Sequence, residues 1–138
     1  MKKTVVITGP VSSSGADHTP LYEVLVETVG PFAAIVHSPL DTMAFRGSHA
    51  DLYRRGMGLI SESSLVIALV GAPSTGQGME IQEASRNGIP LVAIAPVNSK
   101  VSAMVLGCPA LREVIYYESH DQLRAALTER LPELLGAE

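Results

Sequence analysis

The chain has 138 residues, enough for one domain over residues 1–138 that buries roughly two thirds of the surface its unfolded form exposes. Its formal net charge of -4 and its pI of about 5.5 argue against a nucleic-acid polymer as partner, because they leave no basic patch, but they permit a small anionic ligand. The single cysteine, Cys108, excludes an intramolecular disulfide, and without a Cys/His cluster at metal-ligand spacing we expect no metal.

The amino-terminal segment, MKKTVVITGP, contains two lysines followed by an apolar run of only about five residues. That run is too short for a signal peptide, and no segment of the sequence approaches the length that spans a membrane. We therefore expect a cytoplasmic protein that does not enter a membrane.

Five short apolar runs, rich in β-branched residues and continuous rather than alternating, predict strands that are covered on both faces. Stretches of helical pattern separate them. In chain order the prediction is a strand at 4–8, a helix at 19–29, a strand at 32–36, a helix at 49–63, a strand at 65–70, a helix at 78–88, a strand at 90–95, a short helix near 100–107, a strand at 113–117 and a helix at 120–135.

The alternation of strand and helix predicts right-handed crossovers and a parallel sheet with helices on both faces. We predict an α/β fold, a flavodoxin-like or Rossmann-like doubly wound sheet of five parallel strands in the order 2-1-3-4-5. In that order the sequence of strands across the sheet changes direction between the first and third strands, although all strands stay parallel. Open α/β sheets bind ligands at this reversal point, at the carboxyl ends of the strands. The two stretches richest in Gly, Ser and Thr, residues 9–20 and 71–80, follow these two strands and should meet there.

Glu80 lies at the end of the second of these loops, and two interpretations are open. We expect it in the first turn of a helix that begins near Gly76 to Gly78, with Ser74 or Thr75 as N-cap, where the helix dipole keeps it ionised. It could merely stabilise that helix end, by about 0.3 to 1 kcal/mol. Alternatively, the two glycines admit a ligand close to the backbone, and an ionised carboxylate there suits nucleophilic attack on the anomeric carbon of a sugar.

Other ligand motifs fit the two loops less well. A Walker loop would end in Gly-Lys-Ser/Thr, which residues 9–20 lack, and a dinucleotide fingerprint would place its glycines in the first turn. A flavin site usually offers stacking aromatics, and the chain has no tryptophan. A response regulator would end the third strand with an aspartate, where this chain has Leu69, Val70 and Gly71. We therefore expect no cofactor.

The residues that follow the first and third strands carry a resemblance to a known family. Gly9 and Pro10, followed by SSLVIALVGAPSTGQGMEIQEASRNGIPLVAI at 63–94, resemble the nucleoside 2-deoxyribosyltransferase superfamily. The segment NSKVSAMVLG at 98–107 is most similar to the 2'-deoxynucleoside 5'-phosphate N-hydrolases and related nucleotide N-glycosidases. The resemblance covers nearly the whole chain and is closest over 63–107.

The resemblance implies hydrolysis of the N-glycosidic bond of a (deoxy)nucleoside 5'-monophosphate to free base and (deoxy)ribose 5-phosphate, with Glu80 as the nucleophile at C1'. It also implies a homodimer in which Ser102 contributes to the phosphate site of the neighbouring subunit, and it implies no metal. The implied substrate-binding residues are Gly9, Pro10, Ser12, Ser74, Gly76, Gly78 and Ser102.

Composition and position alone allow simpler interpretations of these residues. By composition the Ser12 to Ser14 run is a flexible turn, and Ser102 is an ordinary residue at the start of a helix. The resemblance, rather than composition, implies that residues 31–47 form a lid over the base. Two glycines in the predicted second helix, Gly56 and Gly58, each cost about 1 kcal/mol relative to alanine, so they should make room for a packed neighbour or for the base.

Two positions depart from the family pattern. Val6 stands where family members usually carry a tyrosine, and Gly56 stands where they carry an aspartate that assists the base and the nucleophile. Asp51 could take that place only if the helix is shifted. Two alternatives therefore stay open: a catalytically weak or inactive nucleotide-binding protein of the same fold, and a nucleoside deoxyribosyltransferase, against which the segment around Ser102 argues.

Overall fold

The computed structural model describes residues 3–11 and 17–136. Five parallel strands form one sheet in the order β2-β1-β3-β4-β5, with apolar layers under helices on both faces. The predicted α/β fold and the strand order 2-1-3-4-5 are confirmed. The strands are β1 (Thr4–Thr8), β2 (Ile35–His37), β3 (Leu65–Leu69), β4 (Leu91–Pro96) and β5 (Leu111–Tyr117).

Helices connect successive strands and return the chain to the amino ends of the next strand, as a parallel sheet requires. In chain order they are α1 (Thr19–Val29), α2 (Pro39–Ala44), α3 (His49–Ser61), α4 (Thr75–Arg86), α5 (Ala103–Leu106) and α6 (His120–Leu134), with a 3-10 turn at Gly30–Phe32. Within the described ranges, none of these helices has the length and apolar character needed to cross a membrane.

Two apolar layers hold the helices against the sheet. On one face Leu25 of α1 and Leu123 of α6 pack with the β1, β3 and β4 side chains, and on the other face Ile60 of α3 and Ile81 of α4 do so. All five residues of β3 are buried because this central strand is covered on both faces. This double coverage explains why the strands are continuously apolar in sequence.

The second strand begins three residues later than the sequence predicts and ends one residue later. The apolar run at 32–36 begins in the 3-10 turn Gly30–Phe32, which contains Pro31 and in which the Ala33 N–H donates to Gly30 O at 3.4 Å. The strand at the sheet edge then begins at Ile35, whose side chain is 47% exposed. Residues 39–44, for which no helix is predicted, form α2 because Ser38 and Asp41 cap its first turn reciprocally.

Helix α4 also begins earlier than predicted, at Thr75 rather than near residue 78. Ser74 is its N-cap, since the Ser74 hydroxyl oxygen accepts a hydrogen bond from the Gln77 N–H at 3.3 Å. One of the two predicted caps, Ser74, is therefore confirmed. The earlier start moves Gly76 and Gly78 into the helix itself.

Candidate functional site

The carboxyl ends of β1 and β3 lie side by side at the reversal point of the sheet, with Thr8 in register with Ala68. The start of α4 is fastened over this edge by Gln77, a side chain only 5% exposed. Its amide Nε2 donates to Thr8 O at 3.2 Å and also to Leu69 O. Because this amide contacts the last residues of two strands, it fixes the start of α4 relative to the sheet. It also supplies a hydrogen-bond donor to two buried carbonyls.

Glu80 reaches back from α4 to the end of β1. Its Oε1 accepts a hydrogen bond from the Thr8 hydroxyl at 3.1 Å. Thr8 is 2% exposed, whereas Glu80 as a residue is only partly buried. The arrangement presents a carboxylate at the reversal point of the sheet, where a ligand was predicted.

The electrostatics of Glu80 differ from the sequence expectation. Glu80 is the sixth residue of α4, in its second turn, and not in the first turn as predicted, so the unpaired N–H groups of the helix end do not surround it. Burial raises the pKa of Glu80 above its usual value, and the hydrogen bond from Thr8 lowers it by a smaller amount. Stabilisation of a helix end is therefore not an adequate explanation of this carboxylate.

The first loop is held to α1 by Tyr22. The Tyr22 hydroxyl donates to Pro10 O at 2.7 Å, and a Cβ added at Gly9 would overlap that same hydroxyl. Gly9 therefore has a structural reason to be glycine, in addition to any contact with a ligand. Gly9 and Pro10 directly follow Thr8, which places both next to the Glu80 contact, whereas Ser12 lies outside the described residues.

A cavity of about 670 Å³ lies between α4 and α5. Three predicted substrate-binding residues, Ser74, Gly78 and Ser102, share its walls. Glu80 is not among the lining residues, all of which come from the described part of the chain. Gln77 lines the cavity and also contacts Thr8, the hydrogen-bond partner of Glu80. The other lining residues are mostly apolar: Val70, Ala72, Pro73, Ile81, Gln82, Ala103, Met104, Val105, Gly107, Cys108 and Pro109.

Ser74 and Ser102 have matching local roles. Each is the N-cap of a helix and accepts a hydrogen bond from a backbone N–H, that of Gln77 for Ser74 and that of Met104, at 3.2 Å, for Ser102. Capping uses the oxygen as an acceptor and leaves the hydroxyl proton available to an anionic ligand. The simpler interpretation of Ser102, a residue at a helix start, is thus compatible with a binding role.

The glycines of the second loop and of α3 have space around them. A Cβ at Gly76 or Gly78 meets nothing within 4 Å, and the same holds at Gly56 and Gly58 on α3. A packed neighbour within the described chain is therefore not the reason for the glycines on α3. Space for a ligand or for another molecule remains the interpretation of all four.

The two departures from the family pattern are visible in the structure. Val6 is a core side chain, 4% exposed, and no side chain extends from α3 at Gly56. Asp51, the possible substitute, is exposed in the first turn of α3 and pairs with Arg54. Among residues 3–11 and 17–136, no group of three or more His, Cys, Asp or Glu side chains could hold a metal ion.

The sequence did not predict the contacts of two residues of the site, Thr8 and Gln77. Both contacts join positions about 70 residues apart in the chain, which local patterns do not reveal. The available signals were weak: a polar residue at the end of an apolar strand, and an amide between two glycines.

No protein-family model matches the chain. A protein of Methanosarcina barkeri whose provisional name is 2'-deoxynucleoside 5'-phosphate N-hydrolase 1 is 37% identical over 91 residues, which are 65% of this chain and 57% of that protein. A protein of Syntrophotalea carbinolica with the same provisional name is 38% identical over 86 residues, 61% of this chain and 60% of that protein. The chain thus spans little more than half the length of these curated relatives.

Solved structures resemble the fold over nearly the whole chain. A CMP N-glycosidase of Clostridium botulinum has a TM-score of 0.65 at 19% identity, covering 91% of this chain and 98% of its own. A 2-deoxyribosyltransferase of Bacillus psychrosaccharolyticus has a TM-score of 0.66 at 15% identity, covering 94% and 96%. The predicted resemblance to the nucleoside 2-deoxyribosyltransferase superfamily is therefore confirmed, in fold by these structures and in sequence by the relatives named for N-hydrolase activity.

Proposed function

We propose that the chain hydrolyses the N-glycosidic bond of a (deoxy)nucleoside 5'-monophosphate and releases free base and (deoxy)ribose 5-phosphate. The observation that carries the proposal is the partly buried Glu80, whose carboxylate is held by Thr8 at the carboxyl ends of β1 and β3. The names of the similar proteins, an N-hydrolase and a CMP N-glycosidase, support the same class of reaction.

The proposed reaction has two steps. In the first, a Glu80 oxygen attacks C1' of the sugar, the bond from C1' to the base nitrogen breaks, and the base leaves with that electron pair and takes a proton. In the second, water attacks C1' of the glycosyl ester, gives up a proton and frees Glu80, so the sum is nucleotide plus water to base plus sugar phosphate. Since Gly56 offers no acid, we propose that water protonates the leaving base, at a cost on the order of 10²- to 10⁴-fold in rate.

Phosphate recognition in this proposal comes from hydroxyl and backbone N–H donors. Ser74 at the start of α4 offers a hydroxyl proton, and the open space at Gly76 and Gly78 admits an anion close to the backbone. Ser102 lies near Ser74 on the wall of the same cavity, and we propose that it contributes across the interface of a homodimer to the phosphate site of the neighbouring subunit. A nucleotide substrate and a single unpaired cysteine both suit the cytoplasm.

A specific observation favours each alternative. The open space at Gly56 and the buried Val6 favour a nucleotide-binding protein that does not hydrolyse its ligand. The structural likeness to a 2-deoxyribosyltransferase favours transfer of the sugar to a second base in place of water. Transfer needs the same attack by Glu80 and differs only in the acceptor.

The test is release of base from a panel of ribo- and deoxyribonucleoside 5'-monophosphates and the corresponding nucleosides, followed by chromatography. We expect release from at least one monophosphate, none from Glu80→Gln, and unchanged release from Glu83→Gln. Glu83 is the matched control because it lies on the same helix and pairs with Arg86 on the surface instead of Thr8.

Three other outcomes would contradict the proposal. Stabilisation of the fold by a nucleotide without any base release would leave a binding protein. A new nucleoside formed on addition of a second base, with little hydrolysis, would identify a transferase. Base release that persists in Glu80→Gln would remove Glu80 from the chemistry.

A further inference from the structure

Thr8 is a buried polar residue at the carboxyl end of β1, after three buried apolar residues, Val5, Val6 and Ile7. Its hydroxyl is buried and donates to Glu80 Oε1 at 3.1 Å. A threonine hydroxyl has a single proton to donate, so this contact commits the proton to Glu80. Because a β-branched side chain is restricted at χ1, the direction of the donor is set by the strand.

The strand that carries Thr8 is fastened to the helix that carries Glu80. Gln77 and Glu80 are three residues apart and therefore neighbours on one face of α4. Gln77 donates to the carbonyl of Thr8, while Glu80 accepts from its side chain. Two successive positions of this helix face thus contact one residue of β1, which holds the carboxylate at a set place relative to the strand end.

We propose that Thr8 is a positioning residue for Glu80 in the base-release reaction, an inference that rests on the function proposed above. The Thr8 hydroxyl holds Oε1, which leaves Oε2 as the oxygen that attacks C1'. Thr8 itself neither gains nor loses a proton in either step. A nucleophile displaced by about 1 Å can lose on the order of 10²-fold in rate, so a fixed carboxylate has a large effect on turnover.

The surroundings of Glu80 make this role measurable. Burial raises its pKa and the Thr8 hydroxyl lowers it, and no ionic group of the described chain adds to these two causes. Removing the hydroxyl should therefore raise the pKa of Glu80 further, since the ionised form loses its donor. A residue that served only to fill space would leave that pKa unchanged.

The experiment compares Thr8→Val, which keeps the shape and removes the donor, with Thr8→Ser, which keeps the donor. In Thr8→Val we expect kcat to fall by about ten- to a hundredfold with KM changed less than about threefold, and the acidic limb of the kcat profile to move to higher pH. Thr8→Ser should rescue most of the turnover and the wild-type limb. If Thr8→Val does not fold, Thr8→Ala takes its place in the comparison.

A second readout does not depend on turnover. An NMR titration of the Glu80 carboxyl carbon in substrate-free protein should show a higher pKa in Thr8→Val than in wild type and Thr8→Ser. An active wild type with unchanged kcat and unchanged Glu80 pKa in Thr8→Val overturns the inference and leaves the proposed function standing. A wild type that releases no base overturns the proposed function, and with it the positioning role of Thr8 in that reaction, whatever the pKa of Glu80 in Thr8→Val.

Discussion

Glu80 is the central residue of the proposed reaction, and it is partly buried. The hydroxyl of Thr8 donates to its carboxylate. Burial disfavours the charged form, so the ionised state that a nucleophile requires is maintained at a cost to the fold. That cost is measurable as a dependence of stability on pH.

We expect Glu80→Gln to be more stable than wild type at neutral pH and nearly equal to it at acidic pH. The folded-state pKa of Glu80 lies above its unfolded value, so its contribution is fully present below the unfolded pKa and is lost as pH rises through the folded pKa. Glutamine stays neutral, and its amide oxygen can still accept from Thr8.

Urea unfolding at steps from about pH 4 to about pH 8 would measure the difference, which should grow with pH. Glu83→Gln is again the control. Glu83 is paired with Arg86, whose hydrogen bond lowers the pKa of the Glu83 carboxyl, so this variant should show no gain at neutral pH. A difference for Glu80→Gln that is constant across the range would contradict the burial of its charge.

At the scale of elements, two side chains fix the start of α4. Ser74 caps the helix, and the buried amide of Gln77 in its first turn holds it to the sheet. Gln77→Leu would leave the Thr8 and Leu69 carbonyls without this donor in a buried place. We expect it to lower the free energy of unfolding by about 1–3 kcal/mol. Gln82→Leu, on an exposed position of the same helix, should change it little.

Denaturant unfolding of the two variants would give both values. A Gln77→Leu variant as stable as wild type would mean that the strand ends find other donors. Loss of base release in that variant, with stability retained, would instead place Gln77 in the binding of substrate.

Helix α3 carries its two glycines where nothing packs against them. Gly56→Ala and Gly58→Ala should each raise the free energy of unfolding by about 1 kcal/mol, because a Cβ meets open space at both positions and alanine favours the helix. Thermal unfolding of the two variants at several protein concentrations would measure the gain. A loss of stability at either position would show that another molecule or subunit fills that space in solution.

The strands and the site contacts show which features the sequence pattern predicts and which it does not. The existence and order of the strands followed from continuous apolar runs, since a strand covered on both faces needs apolar residues throughout. The shift of β2 to Ile35–His37 did not, because the apolar residues at 32–34 continue the pattern although Pro31 starts a turn there. The contacts of Thr8 and Gln77 join distant segments, so they could be known only from the folded chain.

At the scale of the whole molecule, the surroundings of Ser102 bear on the proposed homodimer. Ser102 lines the cavity beside Ser74, and Met104, two residues further on, is 85% exposed. An exposed methionine next to a proposed binding serine is consistent with contact to a second subunit. The proposed homodimer would then share its sites.

This sharing predicts complementation between two inactive variants. If Ser102 serves the neighbouring subunit, mixing Glu80→Ala with Ser102→Ala should restore activity, because about one quarter of the sites combine two wild-type residues after random exchange. Base release measured before and after mixing would show the restored activity. Mass spectrometry would show that mixed dimers have formed. Formation of mixed dimers without restored activity would contradict the sharing of Ser102.

The central claim is that Glu80 forms a covalent bond to the sugar, and trapping that bond tests it most directly. The chain would be mixed with its substrate, quenched in acid within milliseconds, digested and analysed by mass spectrometry. We expect the peptide that contains Glu80 to gain the mass of a 5-phospho-(deoxy)ribosyl group bound through C1', and Glu80→Gln to show neither the adduct nor base release. Base release by Glu80→Gln at the wild-type rate, with no adduct on the wild-type peptide, would contradict the account.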